Sequence, residues 1–227
     1  MKGIIIVPAF NEALVIRKVL RELRAEVKRL GKFEIVVVDD GSFDATAKEA
    51  RKAGAKVIRH LLNRGLGGAL GTGLIYAKMT RAEIAVTFDA DGQHDPTDIR
   101  KVIEPIKKGK ADVVIGSRLL FGSRKIPWDR RVVIWGSNLL TRLLFSVTTS
   151  DSQSGFRAFS RKAIQQITIK TQEMEVSSEL FSEIQRLGLH LSEVPIQVIY
   201  TPYSKKKGQS NLNAFGVLVR LLLRLAR

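Results

Sequence analysis

The chain predicts an α/β fold on a mainly parallel sheet, and two observations carry that reading. Short β-branched runs alternate with amphipathic helical stretches through residues 1–116. Three of those runs end in polar clusters: Pro8-Ala9-Phe10-Asn11-Glu12, Asp39-Asp40-Gly41-Ser42 and Asp89-Ala90-Asp91. In open α/β sheets, ligands bind beyond the carboxyl ends of the strands.

The runs in order are Ile4–Val7, Glu34–Val38, Lys56–Ile58, Ile84–Phe88 and Val113–Ile115. Asn11 can cap a first helix reaching about Leu30, with Leu14, Val19, Leu20, Leu23 and Val27 on one face. Asp44 can cap a second, to about Ala53, and a third covers Gly68 to Met79. A fourth starts at Asp95 or Thr97, with Ile99, Val102, Ile103 and Ile106 inward. After Arg118 the pattern changes. Residues 119–129 read as a loop, and Arg130 to about Val147 as an apolar helix interrupted by Asn138 and Arg142. Ser150–Arg157 reads as a polar loop, Val176–Leu187 as a helix, Val194–Tyr200 as a strand and Lys205–Ser210 as a mobile loop.

The last stretch, 212–227, carries Arg220, Arg224 and Arg227 on one helical face and leucines on the others. Sixteen helical residues span about 24 Å, short of a hydrocarbon core of about 30 Å. Such a helix either lies in a membrane interface or packs on the domain. The expected organisation is one domain over 1–211, with a first half at 1–117 and a second at 118–211. A basic amphipathic helix follows at 212–227.

The chain has 227 residues and a formal charge of +16, from 38 basic and 22 acidic side chains. That balance calls for an anionic partner. Six Lys or Arg and no acid fall between Thr201 and Arg227, close to apolar segments, which fits a membrane surface better than nucleic acid. No cysteine is present, which excludes disulfides, thiolate zinc sites and a cysteine nucleophile. The short apolar run after Met1 does not read as a signal peptide.

Asp89 and Asp91 follow the apolar run Ile84-Ala85-Val86. Residues i and i+2 of a strand point the same way, so the two carboxylates can converge. With the amide oxygen of Gln93 they make a hard-oxygen site suited to Mg²⁺ or Mn²⁺ carrying a diphosphate. His94 either contacts that site or is a turn residue, and His60 and His190 read as structural. The run Gly65-Leu66-Gly67-Gly68-Ala69-Leu70-Gly71-Thr72-Gly73 lacks both the dinucleotide and the P-loop spacing. It reads instead as a tight turn with close helix–sheet packing.

Taken together, Val7–Glu12, Val36–Ser42, Asn63-Arg64-Gly65-Leu66-Gly67, Asp89–His94 and Gly116-Ser117-Arg118 resemble family 2 glycosyltransferases in order and spacing. Asp151-Ser152-Gln153-Ser154-Gly155-Phe156-Arg157 is similar to the polyprenyl-phosphate branch, typified by dolichyl-phosphate mannose and glucose synthases. The resemblance implies a GT-A (nucleotide-diphospho-sugar transferase) fold. It also implies inverting, metal-dependent transfer of a hexose from a GDP-mannose or UDP-glucose type donor to a polyprenyl phosphate. By the same resemblance, Pro8, Phe10, Glu12, Val38 and Asp40 hold the nucleoside. Asp89, Ala90 and Asp91 meet the diphosphate and metal, with Gln93 completing the metal site. Arg118 contacts the transferring phosphates, and Arg130 or Arg131 the acceptor phosphate. Lys205 and Ser210 belong to a loop closing over the donor. Asp91 and Arg118 carry the catalysis.

The implied partners are a nucleotide sugar, a polyprenyl phosphate and a membrane surface, with no nucleic acid. The implied location is cytoplasmic, peripheral on the cytoplasmic face of the membrane. Phe10 departs from the aromatic hydroxyl common there, and Glu175 falls near a position that is basic in one mannose synthase type. Two other classes compete. A sugar-nucleotide pyrophosphorylase would need a Gly-rich, basic loop where Pro8–Glu12 stands. A non-enzymatic basic module would explain the charge but not the acidic strand ends.

Overall fold

In a computed structural model of the chain, residues 2–120, 126, 128–172 and 175–199 are described, positions 129 and 130 as backbone only. The expectations for Tyr200, for Lys205–Ser210 and for 212–227 lie outside these residues, as does the side chain of Arg130.

Seven strands form one sheet in the order β3-β2-β1-β4-β6-β5-β7. They are β1 (Gly3–Ala9), β2 (Phe33–Asp39), β3 (Lys56–Arg59), β4 (Ile84–Thr87), β5 (Val113–Ser117), β6 (Arg157–Ser160) and β7 (Leu191–Pro195). All pairings are parallel except those of β6, which runs antiparallel between β4 and β5. Among the described residues seven helices complete the order: α1 (Ile16–Leu30), α2 (Thr46–Lys52), α3 (Gly65–Met79), α4 (Ile99–Lys107), α5 (Trp128–Phe145), α6 (Arg161–Gln166) and α7 (Val176–Arg186).

Strand alternation builds the two cores. Ile5 and Val7 pack with α1 and α4 residues such as Leu20, Leu23, Ile99 and Val102. Ile4 and Ile6 face the other way, onto Leu74 of α3, Ile164 of α6 and Phe181 of α7. Helices therefore cover both faces. The close packing read for the glycine run holds, but the run is helix rather than turn, because α3 begins at Gly65 and not at Gly68. A β-carbon on Gly73 would lie 2.3 Å from Ile6 Cγ2, and one on Gly67 would lie 2.3 Å from the Thr171 carbonyl oxygen. Those glycines let α3 seat directly on β1 and on the 171–172 segment.

Several local readings need correction. Asn11 does not cap α1. It adopts φ 54°, and its Oδ1 accepts from the Phe43 N–H (2.9 Å), which ties the β1 and β2 loops together. The helix begins at Ile16, so Leu14 lies outside it and is exposed. Asp44 acts two residues before α2, accepting from the Thr46 N–H (2.9 Å). Asp95 does open the α4 region, accepting from the Thr97 N–H (2.9 Å) ahead of a 3₁₀ turn over Pro96–Asp98.

The polar loop expected over 150–157 ends in a strand, β6, and α6 follows it. Both elements are too short to show a period. The last strand runs over Leu191–Pro195, earlier than expected, because its partner β5 pairs with Leu191 through Pro195. Beyond it the chain crosses to the β4 loop, with the Ile199 N–H donating to the Gln93 carbonyl oxygen (2.8 Å).

Candidate functional site

The carboxyl ends of β1, β2 and β4 meet at one edge, where Ala9 pairs with Asp39 and Ile6 with Thr87. Asp89 and Asp91 leave β4 there. Asp89 Oδ2 is bonded to His94 Nε2 (2.9 Å). The His94 ring is boxed by Phe88 and Phe156, with centroids 5.6 and 5.1 Å away, and its Nδ1 is buried without a partner. His94 thus fixes Asp89 rather than serving as a plain turn residue. Gln93 turns onto Asp91: its backbone N–H donates to Oδ1 (2.9 Å) and its side-chain amide to Oδ2.

The charges of the two carboxyls are split. Burial works against ionisation of Asp89, yet His94, Arg118 and Arg157 outweigh it and hold the carboxyl below its ordinary value. Asp91 is pushed up, first by burial and then by the negative charge of Asp89. A cation between them would relieve that repulsion. Among the described residues no group of three or more His, Cys, Asp or Glu is set to hold a metal ion. Asp89 and Asp91 could offer two carboxylates, a set that fits Mg²⁺ or Mn²⁺ whose remaining positions would be filled by diphosphate and water oxygens.

A second strand end faces the first. Arg118, just past β5, forms a two-pronged ion pair with Asp151: Nε to Oδ2 and Nη2 to Oδ1, both 2.7 Å. The Arg118 N–H adds a third bond (3.0 Å), and Asp151 is fully buried. Arg157 is buried as well. Its Nη2 donates to Ser177 Oγ (2.8 Å), while its Nε has no partner. Burial pulls its pKa down to about 10, against the opposing pull of Asp89 and Asp151. The 151–157 turn packs on the acid pair through Gly155, whose carbonyl accepts from Thr87 Oγ1 (2.6 Å).

The expected nucleoside residues Pro8, Phe10, Glu12, Val38 and Asp40 sit on or just past β1 and β2 at the same edge. Asp40 is turned inward: its Oδ1 meets His60 Nδ1 (2.7 Å) and the Arg64 N–H (2.9 Å). His60 is structural, as read, and its Nε2 reaches Thr72 Oγ1 (2.9 Å). Phe10 packs edge-on against Phe43 (6.1 Å), and Phe43 is 89% exposed. At the other end of the edge, Leu119, Trp128, Arg131, Val132 and Trp135 line a cavity of about 540 Å³. Arg131 is its one basic group among the described residues.

Sequence reasoning missed the pairing of Asp151 with Arg118, the reach of Arg157 to Asp89, and Phe43. The first two lie in motifs that had been recognised, but spacing along the chain does not reveal which side chain meets which. Phe43 follows Asp39-Asp40-Gly41-Ser42 directly, and an exposed aromatic beside a nucleoside loop was the available signal.

The sheet and its strand order define the class of fold, and the comparisons define the family. Glucosyl-3-phosphoglycerate synthase from Mycobacterium tuberculosis, solved with Mn²⁺, uridine diphosphate and phosphoglyceric acid, has a similar structure. The TM-score is 0.72 at 23% identity, covering 98% of this chain and 78% of that one, and the fold is GT-A. Residues 4–168 match Glycosyl transferase family 2. The chain belongs to that family and is a glycosyltransferase. It is 37% identical over 240 residues to the UDP-N-acetylglucosamine–dolichyl-phosphate N-acetylglucosaminyltransferase of Methanococcus voltae, covering 96% of this chain and 94% of the relative. It is 44% identical over 223 residues to an uncharacterized protein of Methanocaldococcus jannaschii, covering 96% and 90%. With the undecaprenyl-phosphate mannosyltransferase of Micrococcus luteus it shares 28% identity over 237 residues, covering 100% and 93%. The pyrophosphorylase and the non-enzymatic module are thereby set aside.

Proposed function

We propose that this glycosyltransferase moves a sugar, with inversion, from a nucleoside diphosphate donor to a polyprenyl monophosphate at a membrane surface. The observation that carries the reading is the apolar cavity bearing Arg131, whose lining includes Leu119, the residue after the clamped Arg118. A phosphate with a hydrocarbon tail needs that combination, and a soluble acceptor does not. The names of the M. voltae and M. luteus relatives, both polyprenyl-phosphate transferases, support it.

The nucleoside would lie over Pro8, Phe10, Glu12, Val38 and Asp40, with the base beside Phe10 and Phe43. Ala90 would pass under the diphosphate. A divalent cation, Mg²⁺ or Mn²⁺, held by Asp89 and Asp91 would act as a Lewis acid toward the departing diphosphate. Gln93 orients Asp91, and His94 orients Asp89. Arg118 faces the phosphates as a guanidinium held still by Asp151, so its charge needs no reorganisation as the bond breaks. Arg131, with Arg130, would take the acceptor phosphate. One anionic oxygen of that phosphate forms the new bond to the anomeric carbon as the bond to the nucleoside diphosphate breaks. The attacking oxygen carries no proton, so no general base is needed. Lys205 and Ser210 would close over the donor.

Among the described residues no helix is long and apolar enough to cross a membrane. Membrane contact is therefore assigned to the exposed outer face of α5, with the basic 212–227 segment, on the cytoplasmic face. UDP-linked sugars are the first donors to assay, followed by GDP-mannose, each with Mn²⁺ or Mg²⁺ and a polyprenyl phosphate in vesicles. Glycolipid together with free nucleoside diphosphate is the expected product pair. Transfer to phosphoglyceric acid, with none to any prenyl phosphate, would reject the lipid acceptor.

A further inference from the structure

We infer that Asn138 is a positioning residue that locks the acceptor-facing helix α5 to the turn holding Arg118. The inference rests on the proposed lipid acceptor only for its effect on turnover. Asn138 interrupts an apolar helix, where an unpaired amide would be costly. Both ends of its side chain are engaged. Nδ2 donates to the Ser150 carbonyl oxygen (2.7 Å), and Oδ1 accepts from the Ser152 N–H (2.9 Å). Those two backbone groups bracket Asp151, whose carboxylate takes three bonds from Arg118.

The same turn is held from the sheet by Glu193 of β7, which accepts from Thr149 Oγ1 (2.6 Å) and from the Ser150 N–H (2.9 Å). Ser150 Oγ also meets Ser117 Oγ (2.7 Å), beside Arg118 itself.

The helix has two distinct sides. Ile134, Asn138 and Thr141 share one face at i, i+4 and i+7, and Ile134 and Thr141 are buried. Trp128, Val132, Trp135, Leu139 and Leu143 form the other, exposed side. One planar amide gripping two backbone groups fixes both rotation and height of the helix against the turn. A ligand seated on the outer side of α5 therefore acts on Arg118 through Asn138, Ser150–Ser152 and Asp151.

The test compares amide hydrogen exchange in wild type, Asn138→Ala and the exposed control Arg142→Ala. In Asn138→Ala, the Ser152 and Arg118 amides should exchange about tenfold faster, the size expected from losing two ordinary hydrogen bonds, while β1 and β2 stay unchanged. Turnover should fall about tenfold with the donor's KM unaltered, and adding the substitution to Arg118→Ala should cause no further loss. Faster exchange at Ser152 with Arg118 unmoved, or additive losses in the double variant, would overturn the inference. If wild type transfers sugar to no prenyl phosphate, the lipid reading falls, and the exchange comparison still decides the role of Asn138. Should Asn138→Ala fail to fold, Asn138→Asp keeps the acceptor for Ser152, loses the donor to Ser150, and allows the same comparison.

Discussion

Gly155 lies against the Asp89 carboxylate with no space between them. A β-carbon at 155 would fall 2.5 Å from Oδ1 and 2.6 Å from Oδ2. The 151–157 turn and the end of β4 are therefore fitted to each other, and Gly155→Ala must push Asp89 off its bond with His94. Overpacking of this kind costs about 1–3 kcal/mol, so kcat/KM should drop roughly ten- to hundredfold. A raised Mn²⁺ requirement alongside a lowered Tm is the expected signature. A Tm drop matched by normal metal dependence would show that the contact matters to folding alone.

Asp91→Asn should abolish transfer while the fold survives. The folded protein already disfavours charge at Asp91, through burial and through Asp89. Removing that charge should leave Tm unchanged or slightly higher. Chelation of divalent ions should silence wild type, with activity returning on added Mn²⁺ or Mg²⁺. Full turnover in the chelated enzyme would remove the metal from the reaction.

Asp151→Asn should strike both stability and activity. Asp151 is fully buried and Arg118 largely so. Breaking a buried pair by removing one partner costs about 3–5 kcal/mol. Denaturant unfolding should register a loss of that order, with turnover falling well beyond it because Arg118 is no longer held. Nucleoside diphosphate binding in the folded fraction should change far less.

Trp128→Glu together with Trp135→Glu should raise the KM for a polyprenyl phosphate in vesicles and reduce vesicle co-sedimentation. Both side chains are exposed, at 77% and 67%, so Tm should hold. The donor's KM should also hold, because Phe10 and Asp89 lie just past β1 and β4 and not on α5. Unaltered vesicle binding would move the membrane contact away from α5.

Asp112 gives a pH-dependent test remote from the acid pair. It accepts from the His190 N–H and from Lys162 (both 3.1 Å) and from Ser160 Oγ (3.3 Å), joining the starts of β5 and β7 to the end of β6. Burial opposes its charge, but the His190 and Lys162 bonds prevail and lower its pKa. A carboxyl lowered in the folded state stabilises above its unfolded value of about 3.9. That contribution is lost as pH falls through the folded value. Asp112→Asn should cost on the order of 1 kcal/mol at pH 7, and the gap to wild type should close below about pH 4. A constant gap down to low pH would exclude the carboxylate as its source.

The parallel strands β1 to β5 could be read from the chain because each holds a β-branched run that shows itself, as at Ile35–Val38 and Val113–Ile115, whereas Leu191–Pro195 of β7 holds none. The acid pair could be read for the same reason: it directly follows such a run. β6 could not. Arg157-Ala158-Phe159-Ser160 is four residues with a charge at its head, and it is a strand only because β4 and β5 flank it. Asn11 and Leu14 misled because a left-handed Asn followed by an apolar residue resembles a helix start, while the loop is really tied to Phe43. The partners of Arg118, Arg157 and Asn138 lie 33, 20 and 12 residues away. Nothing local encodes such pairings.

The antiparallel strand also governs when the enzyme comes into being. β6 is inserted between β4 and β5, so a nascent chain that has reached only Ser117 has β4 lacking a neighbour on that side. The stretch that supplies the neighbour brings Gly155 to Asp89 and Asp151 to Arg118. One short segment therefore both joins the two halves of the sheet and supplies two contacts of the proposed reaction centre, so a product ending before it would lack the seam and both contacts together.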